Sequence, residues 1–220
     1  MNTDKPSRTE IKHEAILMAA KKVFLTQGYS LASMDEIAST ASVSKRTVYD
    51  HFKTKKALFE SMLNTHWQTV SVSHRQLFTE KDTISVQLTQ FARTFLKFLY
   101  QEDTIALFRL LIAETNQFPD LTSDVVIADK APFTRLLAQF LTMKKSSGEL
   151  SIDSPERSAA YFIGMLKEYH FWPMMLGFTK QKQLSHQNNL IDDVVRVFLK
   201  VYQPSALHNE TPLPKRKLKK

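Results

Sequence analysis

Between Ser42 and Phe52 the chain reads SVSKRTVYDHF, which sets cations, hydroxyls, a phenol and an imidazole around the apolar residues Val43, Val48 and Phe52. A guanidinium can bridge O6 and N7 of guanine, and a threonine can meet a thymine methyl or a phosphate. Arg46 and Thr47 are therefore candidates for base contacts. Tyr49, His51 and Lys55 suit phosphates, with the amides at the start of the following helix assisting. Within residues 44–56 five cations, Lys45, Arg46, Lys53, Lys55 and Lys56, face only Asp50. A charge run of this kind is as often a solvated helix face, so spacing must decide.

The spacing is that of a helix-turn-helix. Ser33-Met34-Asp35-Glu36 has the pattern of a capping box, with the Ser33 hydroxyl accepting from the Glu36 amide and Glu36 reaching back. It starts a short helix that ends near Ala41. Ser42, Val43 and Ser44 follow, with Ser44 as the N-cap of the next helix, which ends near Phe52. Ile37, Ala38, Ala41, Val43, Val48 and Phe52 can pack the pair together and leave Lys45, Arg46, Thr47, Tyr49 and His51 outside. A second helix so exposed can enter the DNA major groove by its N-terminal residues.

The rest of the chain is also helical. Four Gly in 220 residues and few period-two runs exclude an extensive sheet. In the first helix Ile11, Ala15, Met18, Ala19, Lys22 and Val23 share a face, and Gly28 is placed to close it in a left-handed turn. Thr54 caps a long fourth helix with a stripe through Phe59, Leu63, Trp67, Val70, His74 and Leu77. A fifth carries Ile84, Leu88, Phe91, Phe95 and Phe98, and a sixth Ile105, Phe108 and Ile112 before FPDL breaks it. A seventh ends at Gly148. An eighth opens on Ser154 and Pro155 and should kink or end near Phe171 and Trp172, before Pro173. The ninth has two apolar columns, from Ile191 to Tyr202. The expectation is an all-α fold of about nine helices: a helix-turn-helix domain over 1–53, a helical bundle over 54–203 and a disordered basic tail over 204–220.

Composition narrows the function. The net charge of +8 divides as ten Lys/Arg against seven Asp/Glu in residues 1–60, fifteen against fourteen in 61–203, and five against one in 204–220. Basicity thus sits in one short segment and the tail, which suggests a polyanion partner. No stretch reaches the roughly 18–20 apolar residues that span a bilayer, and the N-terminus lacks a secretory core. Zero Cys removes thiolate chemistry and the common zinc sites, and fits a cytoplasmic location. His66 and His74 lie two turns apart with no carboxylate to complete a metal site. Neither a Gly-x-Ser-x-Gly elbow nor a Gly-rich phosphate loop is present, so no catalytic residue, metal or cofactor is expected.

Residues 11–63 resemble the N-terminal domain of the TetR family of bacterial repressors. The matching pattern runs through Phe24, Gly28-Tyr29, Met34-Asp35-Glu36-Ile37-Ala38, Val43-Ser44-Lys45, Thr47, Tyr49, His51-Phe52 and Lys55. Arg46 and Asp50 depart from it, where a small residue and Tyr or Asn are frequent; both bear on the DNA sequence read. LIAETNQFPDL and GELSIDSPERSAAYFIGML are similar to the effector domains of AcrR-like and AefR-like members. The resemblance implies a homodimeric repressor of a palindromic double-stranded operator, released by a small-molecule effector. Ser33, Ser44, Lys45, Arg46, Thr47, Tyr49, His51 and Lys55 form the expected DNA-binding set.

A bundle with fifteen Phe, eight Met and two Trp could enclose an apolar pocket. Trp67, Val70, His74, Phe95, Arg109, Ile112 and Asn116 are its expected lining. Phe162, Leu166, Ile191, Val195, Phe198 and Tyr202 are expected to pair with a second copy. The fourth helix would join head to pocket: Trp67, Val70 and His74 lie roughly 18–29 Å along it from Lys55. One alternative is an architectural nucleoid protein without a specific operator; another, an enzyme that acquired a helix-turn-helix, lacks a catalytic constellation.

Overall fold

The computed structural model describes residues 7–72, 78, 81–121, 132–178 and 187–204. Among the described residues it is all-α, with no strand. Its helices are α1 (Arg8–Leu31), α2 (Met34–Thr40), α3 (Lys45–His51), α4 (Lys55–Val72), α5 (Ile84–Leu99), α6 (Glu102–Glu114), α7 (Pro132–Ser146), α8 (Pro155–Met175) and α9 (Gln187–Tyr202), with a 3-10 turn at Pro119–Leu121.

Local chemistry sets most helix ends. The Ser44, Thr83 and Ser154 hydroxyls accept from the amides of Thr47, Val86 and Arg157, and Thr54 accepts from Ala57. The expected capping box at Ser33 is one-sided. Glu36 N–H donates to Ser33 Oγ at 3.2 Å, but the Glu36 carboxylate takes the Gln27 side-chain amide instead of the Ser33 backbone. A complete box occurs at Ser7, where Glu10 N–H donates to Ser7 Oγ and Ser7 N–H to Glu10 Oε2. Pro173 does not end α8 near Phe171: the helix runs on to Met175.

Two apolar cores organise the molecule. One belongs to the head, where Ile16, Ala20, Val23 and Phe24 of α1 meet Ile37, Val48 and Phe52. Ile11 and Met18, expected on that buried face, are exposed. The buried stripe is set by the i, i+4, i+7, i+8 positions from Ile16 to Phe24, which turns Met18 outward. The head core does not stop at residue 53. Leu58, Phe59, Met62 and Leu63 of α4, and Leu107, Leu110 and Leu111 of α6, complete it.

The second core joins α5, α7, α8 and α9 through Leu88, Phe91, Phe95, Leu137, Phe140 and Phe162. It corrects the expected dimer contacts. Phe162 and Leu166 are fully buried, and Ile191, Val195 and Phe198 nearly so, all within one chain; Tyr202 is half-buried on the Phe198 ring. Both apolar columns of α9 are therefore used largely inside the protomer, against α5 and α8. What remains outside is different: Tyr161, Tyr169 and Trp172 on α8, Leu176 and Phe178 beyond it, and Val197 and Val201 on α9.

Candidate nucleic-acid interface and its coupling helix

α2 and α3 are held at a fixed angle by three kinds of contact. Val48 is fully buried beneath Ile37 and Ala38. The turn between them closes by Val43 N–H donating to Ala38 O at 3.0 Å, with Ser42 in the left-handed region at φ 53. Lys45 pairs with Asp35 of α2 at 2.8 Å, which raises its pKa above the usual lysine value. Its charge is thus partly neutralised within the head.

The outer side of α3 is open. The Arg46 side chain is 91% exposed, and its closest acid, Asp50, stands 3.9 Å away, too far for a firm hydrogen bond. Tyr49 is exposed one turn along. Thr47 is half-buried and shares its hydroxyl with Ser44 Oγ at 2.8 Å. The His51 ring lies 5.5 Å from His13 and 6.2 Å from Phe52, so α1 helps to hold it. Ser33 and Ser44 act as caps; Arg46 and Tyr49 are the freest of the eight expected contacts.

Lys55 has a different job from the phosphate contact expected of it. Its Nζ donates to the carbonyls of Tyr29, Ser30 and Ala32 at 2.8, 3.1 and 3.0 Å, and lies 4.7 Å from the Tyr29 ring centroid. An ammonium has three donors, and all three serve carbonyls that the end of α1 would otherwise leave unpaired. Burial pushes its pKa down.

The amides of the same α1 segment are held from the other side by α6. Tyr29 and Ser30 N–H donate to Glu114 Oε1 at 2.9 and 3.3 Å. Gly28 makes this approach feasible: its φ is +85°, and a Cβ there would stand 2.9 Å from the same carboxylate oxygen. Phe118, just past α6, packs edge-on against Tyr29 at 4.9 Å. Nearer the start of α6, Asp103 pairs with Lys21 at 2.5 Å and Thr104 hydrogen-bonds His66 Nε2 at 2.9 Å. Burial, then the Lys21 charge, lowers the His66 pKa to about 4, so the ring is neutral at pH 7.

Residues 16–62 match the family described as bacterial regulatory proteins, tetR family, and residues 86–204 match the AefR-like transcriptional repressor C-terminal domain. The chain belongs to the TetR family. A TetR-family regulator from Mesorhizobium loti superposes with a TM-score of 0.76 at 30% identity, over 90% of this chain and all of that one. The flavonoid-responsive regulator FrrA gives 0.76 at 29%, over 89% and 98%. Among curated relatives, the HTH-type transcriptional activator FasR of Mycolicibacterium smegmatis is 43% identical over 61 residues, 28% of either protein. The match to that relative thus spans well under two thirds of its length.

In this TetR-family regulator the expected pocket residues do not converge. Trp67 is half-buried where the two cores meet, its ring 5.3 Å from Phe98 and 5.4 Å from Phe108. Phe95 is core, between Phe91 and Phe133. Arg109 is occupied, its Nε and Nη2 donating to the Met175 and Met174 carbonyls at the end of α8 at 3.0 and 2.6 Å. Ile112 and Asn116 are exposed: α6 turns Leu107, Leu110 and Leu111 to the head and Ile112 away from it, and Asn116 lies in the turn past its end. The Val70 side chain and His74 fall outside the described residues. Among those residues no group of three or more His, Asp or Glu is arranged to hold a metal.

Glu114 and the Asp103–Lys21 pair were not picked out by motif. One signal did exist. An acid in the last turn of a helix opposes the helix dipole, so Glu114 at the end of α6 points to a partner elsewhere.

Proposed function

We propose that the protein is a transcriptional repressor that binds a palindromic operator as a homodimer and is released by a small, largely apolar ligand. The observation that carries the DNA part is the pose of α3, locked to α2 and α1 on one side and offering Arg46 and Tyr49 on the other. Arg46 reads a base, and Tyr49, Thr47 and His51 hold the phosphate register. The exposed apolar side chains of α8 and α9, from Tyr161 to Val201, support pairing with a second copy through that face. A cytoplasmic site of action fits this role, and no described helix is long and apolar enough to cross a membrane.

Release works through α6 as well as α4. Arg109 grips the end of α8, and Glu114, on the same helix, grips the end of α1. A ligand that displaces α8 from α6 would pull on the hook at Gly28–Ala32 and change the spacing of the two reading heads. Sequencing of DNA selected by the purified protein tests the reading, followed by footprinting with candidate ligands. One protected palindrome lost on ligand addition is the expected result; protection without a unique site would instead favour an architectural role.

A further inference from the structure

Among the described residues, two buried proton donors inside the bundle have no acceptor: Trp67 Nε1 and Tyr100 Oη. Tyr100 is 1% exposed, at the end of α5. Buried groups of this kind are nearly always paired, because an unmade hydrogen bond is costly. Both donors border one seam of rings. From Trp67 the ring contacts run to Phe108 at 5.4 Å and from Phe108 to Phe171 at 5.6 Å; beside Phe171, His170 faces Tyr100 at 6.0 Å. The seam brings together α4, α5, α6 and α8. Two of these, α8 and α4, are tied to α6 by Arg109 and Thr104.

The other polar groups of this seam are engaged or uncharged. Arg109 is held by two carbonyls, and His66 by Thr104. Burial disfavours the protonated form of both His66 and His170. Lys167, half-buried with its ammonium 5.3 Å from the Phe171 ring, is the cation beside it. An indole N–H can only donate, and the neutral phenol brings a further proton. We propose that the effector is an uncharged, flat aromatic molecule with oxygen acceptors, which enters between these rings and receives the protons of Trp67 Nε1 and Tyr100 Oη. Ring faces match the walls, and the oxygens recover two hydrogen bonds that the free protein lacks.

This rests on the ligand-released reading above, so binding is measured on the full-length DNA-free protein and operator release separately. Calorimetry compares flavone, chromone and xanthone with 2-phenylnaphthalene, which has flavone's shape without oxygen, and with tetradecanoate. At least one oxygen heterocycle should bind about tenfold or more tighter than the hydrocarbon. Trp67→Phe and Tyr100→Phe should each weaken it about 3- to 10-fold, the loss of one hydrogen bond, and leave the hydrocarbon within about twofold. Tyr100→Phe should also raise the unliganded melting temperature, since it removes an unpaired hydroxyl. No preference over the hydrocarbon, a preference unchanged in both variants, tighter binding of tetradecanoate, or a lower melting temperature for Tyr100→Phe would each overturn the assignment. A heterocycle that binds through both donors yet leaves the operator occupied would instead refute only the release reading.

Discussion

Glu114→Ala is the sharpest test of how the head is held. The carboxylate accepts from two backbone amides, Tyr29 at 2.9 Å and Ser30 at 3.3 Å. Hydrogen bonds to a charged acceptor contribute about 1.5–3 kcal/mol each, and the Ser30 contact is long and exposed, so the pair is worth about 2–3 kcal/mol. For a chain of this size that is a fall in melting temperature of about 4–12 °C. Glu114→Gln keeps an acceptor without its charge and should cost about 1 kcal/mol. Hydrogen exchange reads the contact directly: the Tyr29 and Ser30 amides should lose protection about 30- to 150-fold in Glu114→Ala. Gly28→Ala should be destabilising on its own, because of its φ and the approaching carboxylate oxygen. That cost should shrink in the Glu114→Ala background, where only the φ penalty remains. An unchanged melting temperature with both amides still protected would refute the clamp.

Four further outcomes are expected. Arg46→Ala should relax selectivity at one base pair per half-site, at about 1–3 kcal/mol, seen by repeating DNA selection with the variant; unchanged selectivity would remove Arg46 from base reading. Lys55→Ala should lower stability while leaving the slope of log affinity against log salt unchanged, and a slope reduced by about one would return Lys55 to a phosphate. Tyr169→Glu combined with Val201→Glu, both exposed in the protomer, should give folded monomers in sedimentation; a persistent dimer would place the interface elsewhere. His66 has a folded pKa of about 4, below its unfolded value of 6.5. Its contribution is therefore present above pH 6.5 and lost as the pH falls toward 4. Urea midpoints of His66→Gln should lose less than the wild type over that interval, and parallel curves would contradict the burial.

The helices were legible because their signals are local. A Ser or Thr cap, a Gly or Pro stop and a period of 3.6 leave little freedom, and the helix-turn-helix pair follows from a three-residue turn, Ser42-Val43-Ser44, between two short amphipathic segments. For the expected dimer contacts, periodicity says that Phe162, Ile191 and Phe198 are buried but not by what, and here they pack within one chain. The same stripe serves a neighbouring helix or a second chain equally well. The acceptors of Lys55 and Arg109 were hidden for a related reason: a cation in a basic run or on a helix face has no local mark of an acceptor 26 or 66 residues away. Tertiary carbonyls at the ends of α1 and α8 took them.

Arg109 and Glu114 make the position of α6 consequential. Arg109 and Glu114 are five residues apart, about 7.5 Å along the helix axis. One holds carbonyls at the end of α8, the other amides at the end of α1. The exposed apolar face proposed for dimerisation lies on α8 and α9, so α6 joins three functions: subunit pairing through the end of α8, the ring seam and the hold on the head. A tenfold loss of operator affinity needs only about 1.4 kcal/mol of difference between the two states. The Glu114 clamp alone is worth about 2–3 kcal/mol on the same scale. Partial loss of that clamp would therefore suffice for release, with no need for α6 to unwind or for the head core around Leu107 and Leu111 to open.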